Sequence, residues 1–359
     1  MEKKKIRIGL CGIGRAGYNM HCSELDKFNE LFQVVACCDV KSDRVETLKK
    51  RYQCSGYTDY RDFLRDPEIE LVSIAVRSTE HVDFALKALQ AGKMVFLEKP
   101  FALSLEGLAL LEKAVHDHPG KLYFRHNRRF EAAFNHIRDI MKEGILGNIF
   151  EIKLRRHNFQ NRDDWQTLLA CGGGQTNNWG PHLIDHSLRL LESPVASIWS
   201  DLKHVSSQGD AEDHIKVIFK GENGRIIDLE ISNCIQIPSN VYEIYGTRGT
   251  LISKDEKTLQ MKYLDPAFQI PEGHSSPGTP EWQYTYGPAA KWPWLEKTIP
   301  VAPSNGFRMS DNYKYLYAAI REGVPYPVKP EEAFAVIRAT AEIKKQNPQF
   351  KAETDLFNS

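Results

Sequence analysis

Hydrophobic and polar positions follow two different patterns along this chain. Over about the first 125 residues, short apolar runs alternate with longer stretches that carry apolar residues at helical spacing. The candidate strands are residues 6–10, 32–39, 71–76, 94–97 and 122–124, and the candidate helices are residues 15–28, 42–52, 79–91 and 105–116. Residues 71–76 are nearly all apolar, as expected for a strand buried on both faces. The alternation predicts a parallel sheet with helices on both sides.

The pattern changes after Phe130. A predicted helix over residues 131–143 stops before Gly144, and the candidate strands that follow are residues 149–157, 196–205, 214–220, 225–234 and 241–245. Several of them alternate polar and apolar residues, which is typical of an antiparallel sheet with one solvated face. Asn223-Gly224 predicts a hairpin between two of them. Residues 264–303 show no period and are expected to be irregular, and helices near 305–322 and 330–345 close the chain.

These patterns predict an α/β fold class. Its first part would be a doubly wound parallel sheet, and its second an α+β domain on an open, mainly antiparallel sheet. A length of 359 residues also suggests about two domains.

Composition then narrows the function. Forty-seven Lys and Arg residues balance 47 Asp and Glu residues, which argues against a nucleic-acid partner because phosphate neutralisation needs a positive excess. No apolar run approaches the roughly 18 residues of a membrane span, so no membrane is expected. The seven cysteines include no Cys-x-x-Cys pair, and the N-terminus lacks the long apolar run of a secretory signal. Both features predict a cytoplasmic protein with free thiols.

A glycine-rich loop follows the first candidate strand. It reads Gly12-Ile13-Gly14-Arg15-Ala16-Gly17, the G-x-G-x-x-G pattern that lets a pyrophosphate approach the backbone at a helix N-terminus. Asp39 ends the second candidate strand, about 20 residues after Gly17, where a ribose-binding acid is expected. A carboxylate there repels a 2′-phosphate and favours NAD over NADP, although Lys41 lies nearby. The alternative is that Asp39 only caps a turn.

Lys99 lies at the carboxyl end of a central strand, in Glu98-Lys99-Pro100. Ligands of doubly wound sheets bind outside those strand ends. On position alone, Lys99 could equally be a solvated strand-end lysine.

The chain resembles the family of glucose–fructose oxidoreductase, inositol dehydrogenase and MocA. The resemblance spans nearly the whole chain and rests on the glycine loop and on four further motifs. They are Ala91-Gly92-Lys93 with Glu98-Lys99-Pro100, Asn127-Arg128-Arg129-Phe130, Gly172-Gly173-Gly174 before Gly180-Pro181-His182-Leu183-Ile184-Asp185, and Gly246-Thr247-Arg248-Gly249-Thr250. Together, in this order, they are specific for the family.

The resemblance implies a Rossmann domain and an open-faced sheet domain with a sugar-like substrate between them. We expect an NAD-binding domain over residues 1–125, a substrate-binding and oligomerisation domain over 126–329, and a C-terminal helix and tail over 330–359 packing back on the first domain. The resemblance further implies that Lys99 is the active-site lysine, that the Lys99–Pro100 bond is cis, and that another subunit covers the open sheet. Because an exposed apolar sheet face is usually covered, a homodimer or homotetramer is expected.

The second catalytic candidate is His182. Gly180-Pro181 predicts a helix start, which places His182, Asp185 and His186 on one helix face. An imidazole titrates near neutrality, so His182 can accept a hydroxyl proton as hydride leaves the neighbouring carbon. The family pattern has aspartate where Asn178 stands. Asparagine orients a hydroxyl but holds no proton, so Asn178 is assigned to substrate orientation and proton transfer to His182 and Lys99.

Two alternatives for this helix are open. Its histidines could be core or capping residues, and His182-x-x-Asp185-His186 could be a metal set. No further ligand stands at a recognisable spacing, so no metal is expected.

Further candidates line the predicted cleft. Those expected to bind substrate, besides Asn178, are Asp185, Arg128, Trp165, Arg155 and His157. Arg155 and Arg156 are adjacent in a strand and must point to opposite faces, so at least one of them is expected to form a surface ion pair. Ser78, His81, Glu98 and Lys99 are expected near the cofactor, although Ser78 could instead be an N-cap.

These residues together predict an NAD-dependent dehydrogenase that oxidises a secondary hydroxyl of a sugar, cyclitol or sugar derivative. Two other functions stay open. One is a glycosidase or lyase that oxidises its sugar transiently, and the other is a non-catalytic NAD-binding regulatory protein.

Overall fold

A computed structural model of the chain describes residues 4–273, 277–279, 282–283, 292–303 and 308–351. Its first sheet is parallel throughout, in the order β3-β2-β1-β4-β5-β6. The strands are β1 (Ile6–Cys11), β2 (Phe32–Cys38), β3 (Ser55–Tyr57), β4 (Leu71–Ile74), β5 (Met94–Glu98) and β6 (Leu122–Arg125). The predicted parallel sheet is thereby confirmed. The strand order reverses between β1 and β4, which opens a crevice at their carboxyl ends.

Helices connect these strands. A π-helical turn over Ala16–His21 leads into α1 (Cys22–Lys27), and the other helices are α2 (Ser42–Tyr52), α3 (Tyr60–Arg65), α4 (His81–Gln90) and α5 (Leu105–Asp117). β3 and α3 were not predicted. Both are short, with three and six residues, so neither develops a readable hydrophobic period.

The second sheet has eight strands in the order β14-β13-β12-β11-β7-β10-β9-β8, and only its β7–β10 pair is parallel. The strands are β7 (Ile149–His157), β8 (Val195–Lys203), β9 (His214–Gly221), β10 (Ile226–Ser232), β11 (Tyr242–Gly246), β12 (Gly249–Ser253), β13 (Thr258–Leu264) and β14 (Trp294–Pro300). The mainly antiparallel sheet is confirmed, as is the hairpin at Asn223-Gly224, where Gly224 has φ +81°.

The prediction that residues 264–303 are wholly irregular was wrong. β14 lies within this range and pairs along its length with β13. Nearly all of its residues are exposed, so the strand depends on backbone pairing and shows little apolar alternation. β12 and β13 were also missed.

The described part of the chain has five further α-helices: α6 (Ala132–Glu143), α7 (Gln175–Asn178), α8 (Gly180–Leu191), α9 (Asn312–Arg321) and α10 (Pro330–Gln346). α8 packs on β10, and α10 packs on α8 and β8 as well as on α5 of the first sheet's layer. α9 packs its Tyr313, Leu316 and Tyr317 into the apolar core beneath β1 and β2.

The domain limits at 125 and 329 stay predictions. The structure shows that α9, which they assign to the second domain, packs on the first. Residues 304–307, where the predicted helix near 305–322 begins, and the tail over 352–359 lie outside the described residues.

The outer face of the second sheet differs from the apolar surface that was expected. Lys216 lies 2.6 Å from Asp228 and 3.0 Å from Glu230, and Arg155 lies 2.5 Å from Asp228. These side chains are between 10% and 26% exposed, so they screen one another from solvent. Alternation along the strands places apolar residues on the other face, against α8 and α10. The centre of the outer face is therefore an ion-pair layer.

Candidate functional site

The glycine loop turns at the carboxyl end of β1 and leads into the π-helical turn. A Cβ added to Gly12 would lie 2.5 Å from the Ala75 carbonyl carbon, and one added to Gly17 would lie 2.0 Å from the Gly12 oxygen. A Cβ on Gly14 would meet nothing nearer than the Arg44 guanidinium, at 4.0 Å. Gly12 and Gly17 are thus needed for packing, whereas Gly14 borders free space. That space fits a pyrophosphate lying against the loop.

Asp39 ends β2 beside this loop. Its Oδ2 accepts the Ile13 N–H at 2.7 Å and an Arg44 N–H at 3.4 Å, and its Oδ1 accepts the Lys41 N–H at 3.0 Å. Oδ2 already accepts two hydrogen bonds, but Oδ1 can accept another, so Asp39 can still receive a ribose hydroxyl. Arg44 was not predicted. It adds a cation beside the position that a 2′-phosphate would take.

Glu98 and Lys99 end β5, but their side chains lie in different environments. Glu98 is 5% exposed and accepts hydrogen bonds from His21 at 3.1 Å and from Arg125 at 2.8 Å. Arg125 also pairs with Glu24, and the other nitrogen of His21 lies 2.7 Å from the Tyr313 hydroxyl. The prediction that Glu98 binds the cofactor needs correction, because its carboxylate is held in this interior network.

Lys99 is half-buried and faces the second domain. Its Nζ donates to the backbone carbonyl of Asn178 at 2.8 Å. Burial lowers the pKa of Lys99 to about 8; Glu98 opposes this shift, while the guanidinium groups of Arg128 and Arg15 add to it. A lysine with this pKa exchanges protons near neutrality. The Lys99–Pro100 bond is cis, as the resemblance implied.

A buried carboxylate positions Asn178. Glu212 Oε1 accepts the Thr176 N–H at 2.9 Å at the start of α7. A Cβ on Gly174 would lie 2.3 Å from this carboxylate, and Gly174 has φ +96°, so the third glycine of the triple is required there. The half-buried side chain of Asn178 bonds to none of the described residues. It can therefore orient a substrate hydroxyl.

His182 lies on α8, with Pro181 in the helix's first turn as predicted. The residue is 6% exposed, and Nδ1 is buried without a partner among the described residues. Nε2 is therefore the ring nitrogen left with access to the cleft. Burial, followed by the charges of Lys99 and Arg128, holds the pKa of His182 well below its ordinary value. A neutral imidazole can accept a proton.

Asp185 and His186 serve the fold instead. Asp185 is 2% exposed and pairs through both oxygens with Arg129. His186 donates to the Arg128 carbonyl at 2.9 Å, and its ring stacks on Phe134 with 3.8 Å between centroids. The prediction that Asp185 binds substrate is therefore wrong in this structure, because its oxygens are committed to Arg129. The same contacts weaken the metal alternative for this helix.

Arg128 and Arg156 enclose an indole next to His182. Their guanidinium carbons lie 4.1 Å and 4.7 Å from the centre of the Trp179 ring, and that ring lies 6.1 Å from the His182 ring. Arg128 also pairs with Glu131, and Arg156 pairs with Glu256 at 2.8 Å. The predicted Arg128 thus borders the site, and Arg156 stands beside it.

Arg155 and His157 were assigned to the wrong face. Both point to the outer side of β7, opposite to Arg156. Arg155 bonds to Asp228, while His157 lies 3.1 Å from Glu230 and 3.0 Å from the Ser239 hydroxyl. Strand alternation separates neighbouring residues but does not say which of them faces the ligand.

The other predicted contacts are Ser78, His81 and Trp165. Ser78 begins a short 3₁₀ turn after β4 and makes no capping bond. His81 is 1% exposed, and its ring nitrogens lie 2.6 Å from the Pro100 carbonyl and 3.2 Å from the Val76 carbonyl, so it ties two loops together. Trp165 is half-buried in a turn whose Gln166 accepts a bond from Arg15 at 2.8 Å. This last bond joins the glycine loop to the second domain.

The structure therefore brings Lys99, His182, Asn178 and Arg128 together. Residues that sequence reasoning missed include His21, Arg125, His126 and Trp179. His126 precedes the Asn127 motif and Trp179 precedes Gly180, so their positions beside motifs were the available signal. Among the described residues, no group of three or more His, Cys, Asp and Glu side chains is arranged to hold a metal. None of the described helices combines the length and apolar character needed to cross a membrane.

Residues 6–126 match the family model described as "Oxidoreductase family, NAD-binding Rossmann fold", and residues 134–252 match the GFO/IDH/MocA C-terminal domain. Scyllo-inositol 2-dehydrogenase (NADP(+)) IolW of Bacillus subtilis is 26% identical over 343 residues, covering 93% of this chain and 91% of the relative. Escherichia coli 2,7-anhydro-N-acetylneuraminate hydratase is 23% identical over 253 residues, covering 68% and 67%.

Solved structures show the same fold. The NAD-binding protein from Listeria innocua superimposes with a TM-score of 0.80 at 23% identity, covering 96% of this chain and 97% of that one. The putative oxidoreductase YPO2259 from Yersinia pestis gives a TM-score of 0.78 at 21% identity, covering 97% of both chains.

The glycine loop yields a paired test of dinucleotide binding. Gly14→Ala adds a methyl group to the free space beside the loop, so we expect an unchanged thermal unfolding midpoint and at least about tenfold weaker NAD or NADP binding by calorimetry. Gly17→Ala adds its methyl 2.0 Å from the Gly12 oxygen and should lower the unfolding midpoint. Full binding by folded Gly14→Ala would show that no dinucleotide lies against Gly14.

Proposed function

The chain belongs to the Gfo/Idh/MocA family of oxidoreductases, and from this membership we propose that it is an NAD-dependent dehydrogenase acting on a secondary hydroxyl of a sugar, cyclitol or sugar derivative. The observation that carries the proposal is the meeting of Lys99 and His182 outside the strand ends of a dinucleotide-type sheet. Lys99 is able to exchange protons near neutrality, and the neutral imidazole of His182 beside it can accept one. A relative that acts on an inositol supports a polyol as substrate.

Four side chains of the site have separate roles in the proposed reaction. A nicotinamide dinucleotide, when bound, takes up the hydride from the reacting carbon. His182 Nε2 accepts the hydroxyl proton of the substrate, and Lys99 Nζ donates a hydrogen bond to the same oxygen as negative charge develops on it. The Asn178 amide orients a neighbouring hydroxyl. Arg128, stacked on Trp179, borders the sugar and adds positive potential.

Asp39 supports NAD as the preferred cofactor. Its carboxylate ends β2 beside the glycine loop, where a carboxylate would accept a ribose hydroxyl and repel a 2′-phosphate. NADP is the less favoured cofactor. Every assay should nevertheless include it, because Arg44 and the Lys41 backbone already bond this carboxylate and a relative uses NADP(+).

The cytoplasm is the proposed location. All seven cysteines are free thiols, which fits a reducing compartment.

A substrate screen with two variants tests the function. Sugars, inositols and sugar acids are assayed with NAD and NADP in parallel, following both NADH and released product. We expect net NADH formation, with higher kcat/KM for NAD. Lys99→Met and His182→Ala should each lower kcat at least about 100-fold, because each removes a proton-handling group, while calorimetry shows unchanged NAD affinity. Exposed His116→Ala serves as the matched control.

Three outcomes would contradict the proposal. Near-normal turnover by either variant would remove its assigned role. Product release without net NADH would identify the glycosidase or lyase. Tight NAD binding without turnover of any polyol would favour a regulatory protein.

Self-association through the second sheet is also proposed, as a homodimer or homotetramer. The outer face presents Trp199, 55% exposed, beside the ion-pair layer. We expect light scattering at micromolar concentration to give two or four times the 41.0 kDa of one chain. Trp199→Lys should shift that mass toward the monomer. A monomeric native protein would overturn the proposal.

A further inference from the structure

His126 follows β6 and lies next to the site without an assigned role. It is 1% exposed, and both of its ring nitrogens are buried without a hydrogen-bond partner among the described residues. A buried polar atom left unpaired costs about 1–3 kcal/mol. An imidazole with two such atoms therefore requires a reason, and its neighbours provide one.

The ring of His126 lies between Phe101 and His182. It packs edge-on against Phe101 at 4.8 Å between centroids, and its centroid is 6.5 Å from that of His182 at an interplanar angle of 70°. Nδ1 of His182 is likewise buried and unpaired. With each nitrogen roughly 1 Å from its ring centre, nitrogens of the two rings can come no closer than roughly 4 Å. That limit excludes a direct hydrogen bond between the rings and leaves a bridging water as the way to connect them.

The charged groups around His126 are engaged elsewhere. On β5, Glu98 is held by Arg125 and His21, and Lys99 donates to the Asn178 carbonyl. Asp185 on α8 pairs with Arg129, which lies in the turn that follows β6. His182, whose Nδ1 is buried without a partner among the described residues, is the neighbour whose ring lies beside that of His126.

Burial lowers the pKa of His126 to about 4, a shift that Asp185 opposes and Arg129 reinforces. The ring is thus neutral at physiological pH. A neutral imidazole offers one donor and one acceptor nitrogen, as a water-bridged contact requires.

We propose that His126 is a positioning residue that selects the tautomer of His182 through one bridging water. The water accepts the Nδ1–H of His182 and donates to a bare nitrogen of His126. The proton of His182 is thereby kept on Nδ1, and Nε2 stays free to accept a proton from substrate. This inference rests on the proposed role of His182 as base.

A substrate-free measurement tests the proposal. The full chain is labelled with ¹⁵N-histidine, the His182 resonances are assigned with His182→Ala, and ring nitrogen shifts are recorded at pH 7. We expect the Nδ1–H form to predominate. In His126→Phe the Nδ1–H to Nε2–H ratio should fall about fivefold or more, which corresponds to loss of roughly 1 kcal/mol. His126→Asn or His126→Gln, whose amides can hold the water, should restore much of it.

Controls separate this effect from packing and from the proposed reaction. Phe101→Leu disturbs the same contact but keeps both imidazoles, so it should leave the ratio within about twofold of wild type. With an active substrate, His126→Phe should lower kcat about tenfold and change KM less than twofold. An unchanged ratio in folded His126→Phe, or a predominant Nε2–H form in the native protein, would overturn the inference. The spectra are recorded without turnover, so they can still be interpreted if the substrate screen finds no activity.

Discussion

The ion pair between Arg125 and Glu98 is the contact on which the site depends. Arg125 is fully buried and lies between Glu98 and Glu24. Removing one member of such a group would leave an unpaired charge in the interior, at a cost of about 3–5 kcal/mol. Glu98 also bonds to His21, which ends the π-helical turn after the glycine loop. One buried network therefore ties the cofactor loop to the strand end that carries Lys99.

Polar contacts around this strand end help to join the two domains. Lys99 donates to the Asn178 carbonyl, and Arg15 donates to Gln166. The zero net charge of the chain conceals a local excess, because the guanidinium groups of Arg128 and Arg15 both act on Lys99. A dinucleotide pyrophosphate and a developing alkoxide are the negative charges that such a cleft suits.

Sequence patterns predicted much of the fold and part of the site. Local motifs can be recognised without knowing which residues contact one another in the fold. The glycine loop, Asp39, Lys99 and His182 all belong to such motifs. Glu98 and Asp185 were misassigned because their partners Arg125 and Arg129 stand 27 and 56 residues away, and no local pattern announces such pairs. Arg155 was chosen over Arg156 because the two-residue alternation of a strand shows that they lie on opposite faces but not which face meets the substrate. β14 was missed because an exposed edge strand has almost no apolar face to repeat.

The proposed reaction depends on burial and nearby cations making Lys99 a proton-exchanging group near neutrality. The most direct test is a pH titration of the ¹³Cε resonance of Lys99 in ¹³C-lysine-labelled protein, with the signal assigned by Lys99→Met. A titration midpoint near pH 8 is expected. A midpoint at the ordinary lysine value, about 10.4, would contradict it.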